Sequence, residues 1–458
     1  MKTLKVPHTL VLLFSMMVLA YILTWILPAG QFDMTKDAKG HDIVVPGTYK
    51  VIEDAESLPI WELFTVIPKA MGEAQGIIFF LLIIGGSIAV LRSTGAIDAL
   101  LGKVLNRFSH RPALLLFMSM LSFMAGSTTI GMAEEYIPLV LILISLCVAL
   151  KMDTVSAVGS MVIGYGLGYG TAVINPFTVL VAQGVADIPP TSGWEYRLIL
   201  FVPFLAIGFH HLWKYANKVR HNPEASLVYG IKEAQPPEPT EYPKMTPQRL
   251  AILITTFIAL VVIVYGIAQY GWYFIELGAI FVVLAIITTL INKTSLDEAA
   301  KIFTQGASEL TGTALLIGFA RSIEMLLSDG QVLHTVINAL ATPLTSVGAE
   351  ISAIGMLFIQ SVLNFFIPSG SGQAYVTMPI MAPIADIVGV SRQVAVLAFQ
   401  MGDGFMNMIV PTNPVLMGIL GMCGIPYSKW FRFIGPLMIK LFIAGSIALV
   451  IAVLIGYK

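Results

Sequence analysis

Long apolar runs alternate with short polar stretches along most of the chain, and this pattern predicts helices that cross a membrane. The continuous apolar runs lie near residues 8–28, 76–93, 196–214, 248–269, 272–292, 311–327 and 433–457. Their lengths suit the ~20 residues that a helix needs to span a bilayer. Four further apolar regions are interrupted by Gly, Pro, Ser, Thr and Asn, and they cover residues 112–150, 153–188, 347–390 and 393–424. The sequence therefore predicts an all-α polytopic membrane protein.

The composition strengthens this prediction. Of 458 residues, 57% are hydrophobic and only 12% are charged, whereas soluble domains carry roughly 25% charged residues. The mean hydropathy is +0.84. Cys147 and Cys423 lie in apolar segments without metal-ligand spacing, so we interpret both as small core residues. The first apolar run, from about Leu10 to Leu27, is longer than a signal-peptide core and is interpreted as a retained span.

The distribution of Lys and Arg indicates the orientation, because short cytoplasmic loops carry an excess of positive charge. A charged, Pro-rich linker, Lys214–Arg249, divides the chain, and a second polar loop covers Gln31–Pro59. The segments Asp187–Tyr196 and Ser328–Glu350 contain no Lys or Arg, so we place them outside. The basic residues that we place in the cytoplasm are Arg92, Lys103, Arg107, Arg111, Lys151, Lys214, Lys218, Arg220, Lys293, Lys301, Lys429 and Arg432.

This orientation requires two re-entrant hairpins. It holds only if 112–150 and 347–390 each enter and leave the membrane on the same side. With that condition, the sequence predicts a multi-pass protein of the inner (plasma) membrane with a cytoplasmic N-terminus and an external C-terminus.

The two halves of the chain resemble each other. "GYGLGYGTAVINP" aligns with "GDGFMNMIVPTNP", which pairs Gly164 with Gly402, Gly166 with Gly404, and Asn175 with Asn413. Other paired positions follow in the same order at a similar offset. We therefore predict two inverted-topology repeats, a hallmark of secondary transporters. The repeats are residues 1–215 and 270–458, separated by a cytoplasmic linker at 216–247 and a connecting span at 248–269.

Four polar breaks interrupt the apolar helices in two matched pairs. The predicted hairpin tips are "AGSTTIG" (Ala125–Gly131) and "IPSGSGQ" (Ile367–Gln373), and the broken spans carry "INPFT" (Ile174–Thr178) and "VPTNP" (Val410–Pro414). Irregular backbone at membrane depth occurs where protein or a water-filled cavity satisfies it. Amides at a helix N-terminus favour a carboxylate, and freed carbonyl groups suit Na⁺. A single break of this kind usually serves close helix packing, but matched pairs favour a binding site.

Ionisable residues inside apolar segments are functional candidates. Glu134 and Glu135 follow "GSTT" in the first turn of the next predicted helix, where they either complement the helix dipole or bind an ion or a substrate amine. Asp403 lies in the apolar "MGDGF". Arg321 and Glu324 are one turn apart, and we predict that they form an ion pair.

Five blocks of sequence resemble the C4-dicarboxylate anaerobic carrier family, in particular its YfcC-like branch, within the ion transporter superfamily. The blocks are "GSTTIGMAEEYIPLVLIL", "NPFTVLVAQ", "IGFARSIEMLLSDGQVLHTVINAL", "PSGSGQAYVTMPIMAPIAD" and "VPTNPVLMGILG". The resemblance implies a dimeric elevator-type carrier without catalytic residues. It places a transport domain at about 112–214 plus 347–458 and a scaffold at about 1–111 plus 248–346.

In that superfamily, tips with Ser-Asn-Thr bind the substrate carboxylate and frame Na⁺ sites. The tips here read Gly126-Ser127-Thr128 and Ser369-Gly370-Ser371. Because both lack the Asn, Asn175 and Asn413 are candidates to supply the amides. The candidate Na⁺ ligands are near Gly126, Ser127, Asn175, Ser369, Thr412 and Asn413. The candidate substrate-binding residues are Ser127, Thr128, Thr129, Glu134, Glu135, Asn175, Thr178, Ser369, Gly370, Ser371, Gly372, Gln373, Asp403, Asn407, Thr412 and Asn413.

The sequence thus predicts a secondary active transporter, ion-coupled or an exchanger, that uses Na⁺ or H⁺ and moves small carboxylate-bearing metabolites. Acids outnumber cations near the breaks, which favours amino acids of the arginine or ornithine type over C4-dicarboxylates. The alternative is an aquaporin-like or ion channel built on the paired Asn-Pro half-helices. That alternative leaves the two hairpin breaks and the buried acids unexplained.

Overall fold

The computed structural model describes most of the chain. The described residues are 9–36, 42–45, 47–53, 55–100, 103, 111–129, 131–133, 136–175, 177–189, 191–234, 243–270, 272 and 274–458. Glu134 and Glu135, two of the candidate substrate-binding residues, therefore lie outside the described residues, as does Pro176 of the first broken span.

The described residues of the first half fold mainly into helices. These helices are α1 (Thr9–Ile26), α2 (Glu62–Glu73), α3 (Gln75–Ser93), α4 (Pro112–Thr129), α5 (Ile137–Ala149), α6 (Thr154–Gly170), α7 (Val179–Val185) and α8 (Trp194–His221). Short 3₁₀ turns, Pro223–Ala225 and Lys232–Ala234, follow α8 in the linker.

The described residues of the second half are also mainly helical. Its helices are α9 (Pro247–Tyr270), α10 (Phe274–Asn292), α11 (Leu296–Glu309), α12 (Thr311–Asp329), α13 (Leu333–Ala341), α14 (Ala349–Phe366), α15 (Gly370–Ile387), α16 (Arg392–Met406), α17 (Pro414–Met422) and α18 (Tyr427–Leu454). A 3₁₀ turn, Thr342–Ser346, connects α13 to α14.

The long apolar runs are confirmed as helices. Within the described residues, six helical segments are long and apolar enough to cross a membrane, and a seventh arises if α2 and α3, bent by 58°, form one span. These segments include α4 and α14, the first arms of the two hairpins. Their length alone therefore does not separate a re-entrant arm from a full span, and the sidedness of the hairpins stays a prediction.

The polar loop Gln31–Pro59 is not purely irregular. Strand β1 (Gly30–Gln31) pairs with β4 (Lys50–Val51), and β2 (Met34–Lys36) pairs with β3 (Asp42–Val44), both antiparallel. The β-branched residues of these segments favour extended backbone. The predicted helical fold is confirmed, and the polar loop adds two small β-ribbons.

Corresponding helices in the two halves have similar lengths and reciprocal contacts. Helices α3 and α12 each contain 19 residues, α4 and α14 each 18, and α8 and α18 each 28. Helix α3 packs against α10 and α11, while its counterpart α12 packs against α1 and α2.

Paired glycines make equivalent contacts. A Cβ on Gly164 would lie 2.8 Å from the backbone oxygen of Met120 on α4, and a Cβ on Gly402 would lie 2.6 Å from Cβ of Gln360 on α14. A Cβ on Gly404 would lie 2.7 Å from the backbone oxygen of Gly166, where α16 crosses α6. These glycines therefore serve close helix packing, as Gly often does in membrane proteins.

Candidate functional site

The second hairpin closes through buried side chains on its two arms. Asn364 Nδ2 of α14 donates to Gln373 Oε1 of α15 (3.1 Å), and Gln373 Nε2 donates to Gln360 Oε1 (2.7 Å). One turn further along α15, Thr377 Oγ1 also donates to Gln360 Oε1 (3.1 Å). These bonds hold the arms antiparallel and leave a short turn, Ile367–Ser369, between them.

Helix α15 begins within the predicted break, at Gly370. Ser369 is its N-cap, and its Oγ accepts a hydrogen bond from the backbone N–H of Gly372 (3.3 Å). A Ser at this position satisfies one of the otherwise unpaired amides of the first turn. We call residues 367–371 tip 2.

In the first hairpin, most of the predicted tip Ala125–Gly131 belongs to the last turn of α4, which ends at Thr129. Ser127 Oγ donates to the backbone oxygen of Met132 (2.6 Å), and Thr128 Oγ1 donates to the backbone oxygen of Thr171 (3.1 Å). Thr129 Oγ1 donates to the backbone of α4 itself, at Ala125 (2.7 Å). Tip 1, residues 126–133, thus uses all three hydroxyls to bond the protein backbone.

Asn175 connects the first broken span to tip 1. Its Nδ2 donates to the backbone oxygen of Ser127 (2.9 Å), and its Oδ1 accepts from the backbone N–H groups of Phe177 (2.8 Å) and Thr178 (3.2 Å). The side chain is fully buried. Asn175 therefore ties the backbone of tip 1 to that of the first broken span.

Asn413 has the corresponding position in the second broken span. Its Oδ1 accepts from the backbone N–H of Leu416 (2.9 Å) and caps α17, while its Nδ2 donates to Asn407 Oδ1 (2.8 Å). Thr412 Oγ1 donates to the backbone oxygen of Phe365 at the end of α14 (2.7 Å). The second break is thereby tied to the second hairpin.

A buried carboxylate lies between these elements. Asp403 of α16 is 0% exposed, and its Oδ1 accepts from Asn364 Nδ2 (2.9 Å) and Asn407 Nδ2 (3.0 Å). We call Asn364, Gln373, Asp403, Asn407 and Asn413 the amide cage. Sequence reasoning did not select Asn364, because a single Asn near the end of an apolar helix gives no local signal of what it contacts.

A cavity of about 530 Å³ opens between the tips, the second break and α12. The N-termini of α15 and α17 both reach it, because Ser369 and Asn413 are the caps of those helices. Its lining residues are Ala74, Gly131, Ala133, Tyr165, Tyr169, Phe177, Phe274, Arg321, Glu324, Pro368, Ser369, Gly370, Ser371, Asn407, Thr412, Asn413, Pro414 and Val415. Helix N-termini favour negatively charged groups, so this wall suits a carboxylate.

An ion-pair cluster forms part of another wall. Arg321 Nη1 lies 2.5 Å from Glu324 Oε2, and Arg321 Nη2 lies 3.1 Å from Glu73 Oε2. The predicted Arg321–Glu324 pair is confirmed, and it also borders the cavity. With both glutamates ionised, the cluster has one negative charge more than it has positive charges.

The predicted site residues fall into two layers. Those that line the cavity are Ser369, Gly370, Ser371, Asn407, Thr412 and Asn413. Others lie behind the lining, where they build the tips and the amide cage; they are Ser127, Thr128, Asn175, Thr178, Gly372, Gln373 and Asp403. Thr129 is exposed and bonds the backbone of its own helix. Of the candidate Na⁺ ligands, Ser127 and Asn175 meet at tip 1, and Ser369, Thr412 and Asn413 meet at the cavity.

Two lining tyrosines were not selected from the sequence. Tyr165 donates to the backbone oxygen of Asn407 (3.0 Å), and Tyr169 donates to the backbone oxygen of Gly131 at tip 1 (2.6 Å). Their spacing of four residues places both on one face of α6, and this spacing is the one feature of the sequence that indicates a shared role.

The chain is similar along nearly its whole length to a family of transporters. A family model described as DcuC, C4-dicarboxylate anaerobic carrier, matches residues 6–454. Over 492 aligned positions, the chain is 32% identical to the "Putative basic amino acid antiporter YfcC" of Escherichia coli K12, with 98% of this chain and 97% of that protein covered. It is 28% identical to an uncharacterized protein of Haemophilus influenzae, with 99% and 98% covered.

Among solved structures, the chain is similar to the YdaH transporter of Alcanivorax borkumensis. The TM-score is 0.44 at 14% identity, with 98% of this chain and 99% of that chain covered.

Proposed function

The chain belongs to the C4-dicarboxylate anaerobic carrier family, a family of transporters rather than enzymes, and on this basis we propose that it is a secondary active transporter of small carboxylate-bearing metabolites. We propose amino acids of the arginine or ornithine type as its substrates, in preference to C4-dicarboxylates. Transport is driven by a Na⁺ or H⁺ gradient or by exchange.

This proposal rests on two walls of the cavity that favour groups of opposite charge. The N-termini of α15 and α17 offer backbone amides and the caps Ser369 and Asn413 to a carboxylate. The wall on α12 offers Glu324 beside Arg321. An α-amino acid with a cationic side chain has a group for each wall.

The charge balance favours an amino acid over a dianion. Arg321 is paired with Glu324 and with Glu73, so its charge is already compensated. A dianion needs net positive charge in a site that excludes water, since unpaired buried charge is costly. The Escherichia coli relative is described as a basic amino acid antiporter, which agrees with this choice.

The elevator mechanism also belongs to the proposal. The cavity lies where the predicted transport domain meets the predicted scaffold, because Ala74, Phe274, Arg321 and Glu324 belong to the scaffold and the other lining residues to the transport domain. Movement of one domain against the other would carry a bound substrate across the membrane. We propose inverted repeats, a homodimer, and a multi-pass arrangement with the N-terminus in the cytoplasm and the C-terminus outside.

A ligand screen on the purified protein tests this proposal. Arginine, ornithine, neutral amino acids, succinate and fumarate are compared, with and without Na⁺, for their effect on thermal unfolding. A ligand at 100 times its Kd stabilises the folded state by about 2.7 kcal/mol. We expect arginine or ornithine to raise the unfolding temperature and the dicarboxylates to leave it unchanged.

The variant Glu324→Gln is the matched arm of this screen, because it keeps the size of the side chain and removes one negative charge. It should lose most of the stabilisation by arginine. Stabilisation by succinate but by no amino acid would overturn the substrate assignment.

A further inference from the structure

Asp403 has one carboxylate oxygen that the surrounding protein does not satisfy. Oδ1 accepts two amide hydrogen bonds, from Asn364 and Asn407. Oδ2 is buried and has no hydrogen-bond partner among the described residues. Buried polar atoms are normally paired, and each exception calls for an explanation.

A second unpartnered oxygen lies close by. Thr178 Oγ1 of the first broken span is also buried and without a partner in the part of the chain that the structure describes. A Cβ on Gly370 would lie 2.6 Å from Thr178 Cγ2 and 3.4 Å from Asp403 Oδ2. Both side chains therefore pack around Gly370, which itself lines the cavity.

In the part of the chain that the structure describes, no positive charge compensates Asp403. Among the described residues, no Lys, Arg or His forms an ion pair with it. Helix α7, which packs against α16, has no ionisable residue. Apart from Asp403, the ionisable residues of α16 and of the other helices packed against it form two groups. Four are tyrosines: Tyr165, Tyr169, Tyr375 and Tyr427. The others lie at helix ends or at exposed positions: Glu350, Asp386, Arg392, Lys429, Arg432 and Lys440.

Across the cavity, the charges of Arg321 and Glu324 are paired with each other. An ionised Asp403 would therefore be a buried charge without a counter-charge, which is strongly unfavourable. A proton or a metal ion bound at Oδ2 would neutralise this carboxylate.

The packing around Oδ2 favours a proton over a metal ion. Neither Asp403 nor Thr178 lines the cavity, and the approach of Thr178 Cγ2 to Gly370 leaves no space for an added methyl group. A protonated carboxyl group suits the surroundings, because its carbonyl oxygen Oδ1 accepts the two amide bonds and its O–H needs a single acceptor.

We propose that Asp403 is the coupling-proton site and that tip 2 controls access to it. With tip 2 packed against Thr178, the carboxyl group holds its proton at Oδ2. When tip 2 moves, Gly370 no longer separates Asp403 from the cavity; the O–H bond breaks, the proton passes to cavity water, and the carboxylate remains. This inference deepens the proposed function, and its consequence for transport rests on that function.

Infrared difference spectroscopy of the full-length protein in lipid membranes tests the proton site without any substrate. The band of a protonated carboxyl group is followed as the pH is raised, and it is identified by its shift in ²H₂O. The wild type is compared with Asp403→Asn and with the matched control Asp386→Asn, whose carboxylate is 49% exposed and paired with Arg392. The same titration is run with NaCl and with choline chloride.

We expect the band in the wild type and in the control, and its loss in Asp403→Asn. If Asp403→Asn does not fold, Asn407→Ala decides, since loss of the Asn407 Nδ2 hydrogen bond to Asp403 Oδ1 (3.0 Å) should shift the band to higher frequency. A band that persists in Asp403→Asn or is unchanged in Asn407→Ala overturns the proposal. So does removal of the band by Na⁺ at constant pH, because Na⁺ would then be the ligand. None of these outcomes depends on which metabolite is transported.

Discussion

Replacing Asn364 by Ala tests whether the amide cage holds the second hairpin in place. Asn364 Nδ2 lies within hydrogen-bond distance of Asp403 Oδ1 (2.9 Å), Gln373 Oε1 (3.1 Å) and Asn407 Oδ1 (3.3 Å). Asp403 and Asn407 each keep another donor in the variant, at Asn407 Nδ2 and Asn413 Nδ2. Gln373 Oε1 keeps none of the bonds described above, so the substitution leaves a buried acceptor unpaired.

The expected cost is about 2–4 kcal/mol. An unsatisfied buried acceptor costs ~1–3 kcal/mol, and the loss of a hydrogen bond to a buried acid adds about 1 kcal/mol. The matched control is Ser361→Ala, one turn earlier on α14. Ser361 Oγ donates to the backbone of its own helix, at Leu357 (2.7 Å), so its removal should cost less than ~1 kcal/mol.

Equilibrium unfolding in mixed micelles measures both variants, and uptake by proteoliposomes shows whether the tip still works. We expect Asn364→Ala to be clearly less stable than Ser361→Ala and inactive in uptake. If the two variants have the same stability and both transport normally, the amide cage does not hold the hairpin.

Three other predictions concern transport. Gly370→Ala should reduce uptake at least tenfold, because the added Cβ would meet Thr178 Cγ2 at 2.6 Å. The double variant Gly370→Ala/Thr178→Ser lacks that methyl group and should regain uptake; if it does not, the steric explanation is wrong. Glu324→Gln should raise the KM for arginine more than for a neutral amino acid in initial-rate uptake, and equal changes would contradict its role. Asn175→Ala and Asn413→Ala should each abolish uptake with expression intact, and near-normal uptake in both would rule out the proposed site.

The sequence predicts the positions of the four breaks because Gly, Pro, Ser and Asn in apolar surroundings are strong local signals. It does not predict where α4 ends. Thr129 and Thr128 bond backbone oxygens at Ala125 and Thr171, so the helix continues through residues whose composition favours a loop. The second of those bonds joins distant parts of the chain, and sequence pattern alone does not report such contacts.

The residues around the cavity are likewise only partly predictable from the sequence. The i,i+3 spacing predicts the pair of Arg321 and Glu324, but their position at the cavity depends on how α12 packs against α17. Asn364 gave no signal for a related reason, since its role is defined by partners on α15 and α16. The sequence therefore predicts contacts within one helix, whereas contacts between helices depend on how the helices pack.

Counterflow in proteoliposomes tests the central claim, that this chain is a carrier. Vesicles are preloaded with unlabelled arginine, and the entry of labelled arginine is compared with entry into empty vesicles, for the wild type and for the double variant Ser369→Ala/Asn413→Ala. A carrier predicts saturable entry that internal arginine accelerates, and loss of that acceleration in the variant. Entry that rises linearly with concentration and does not respond to internal arginine would indicate a pore and contradict the account.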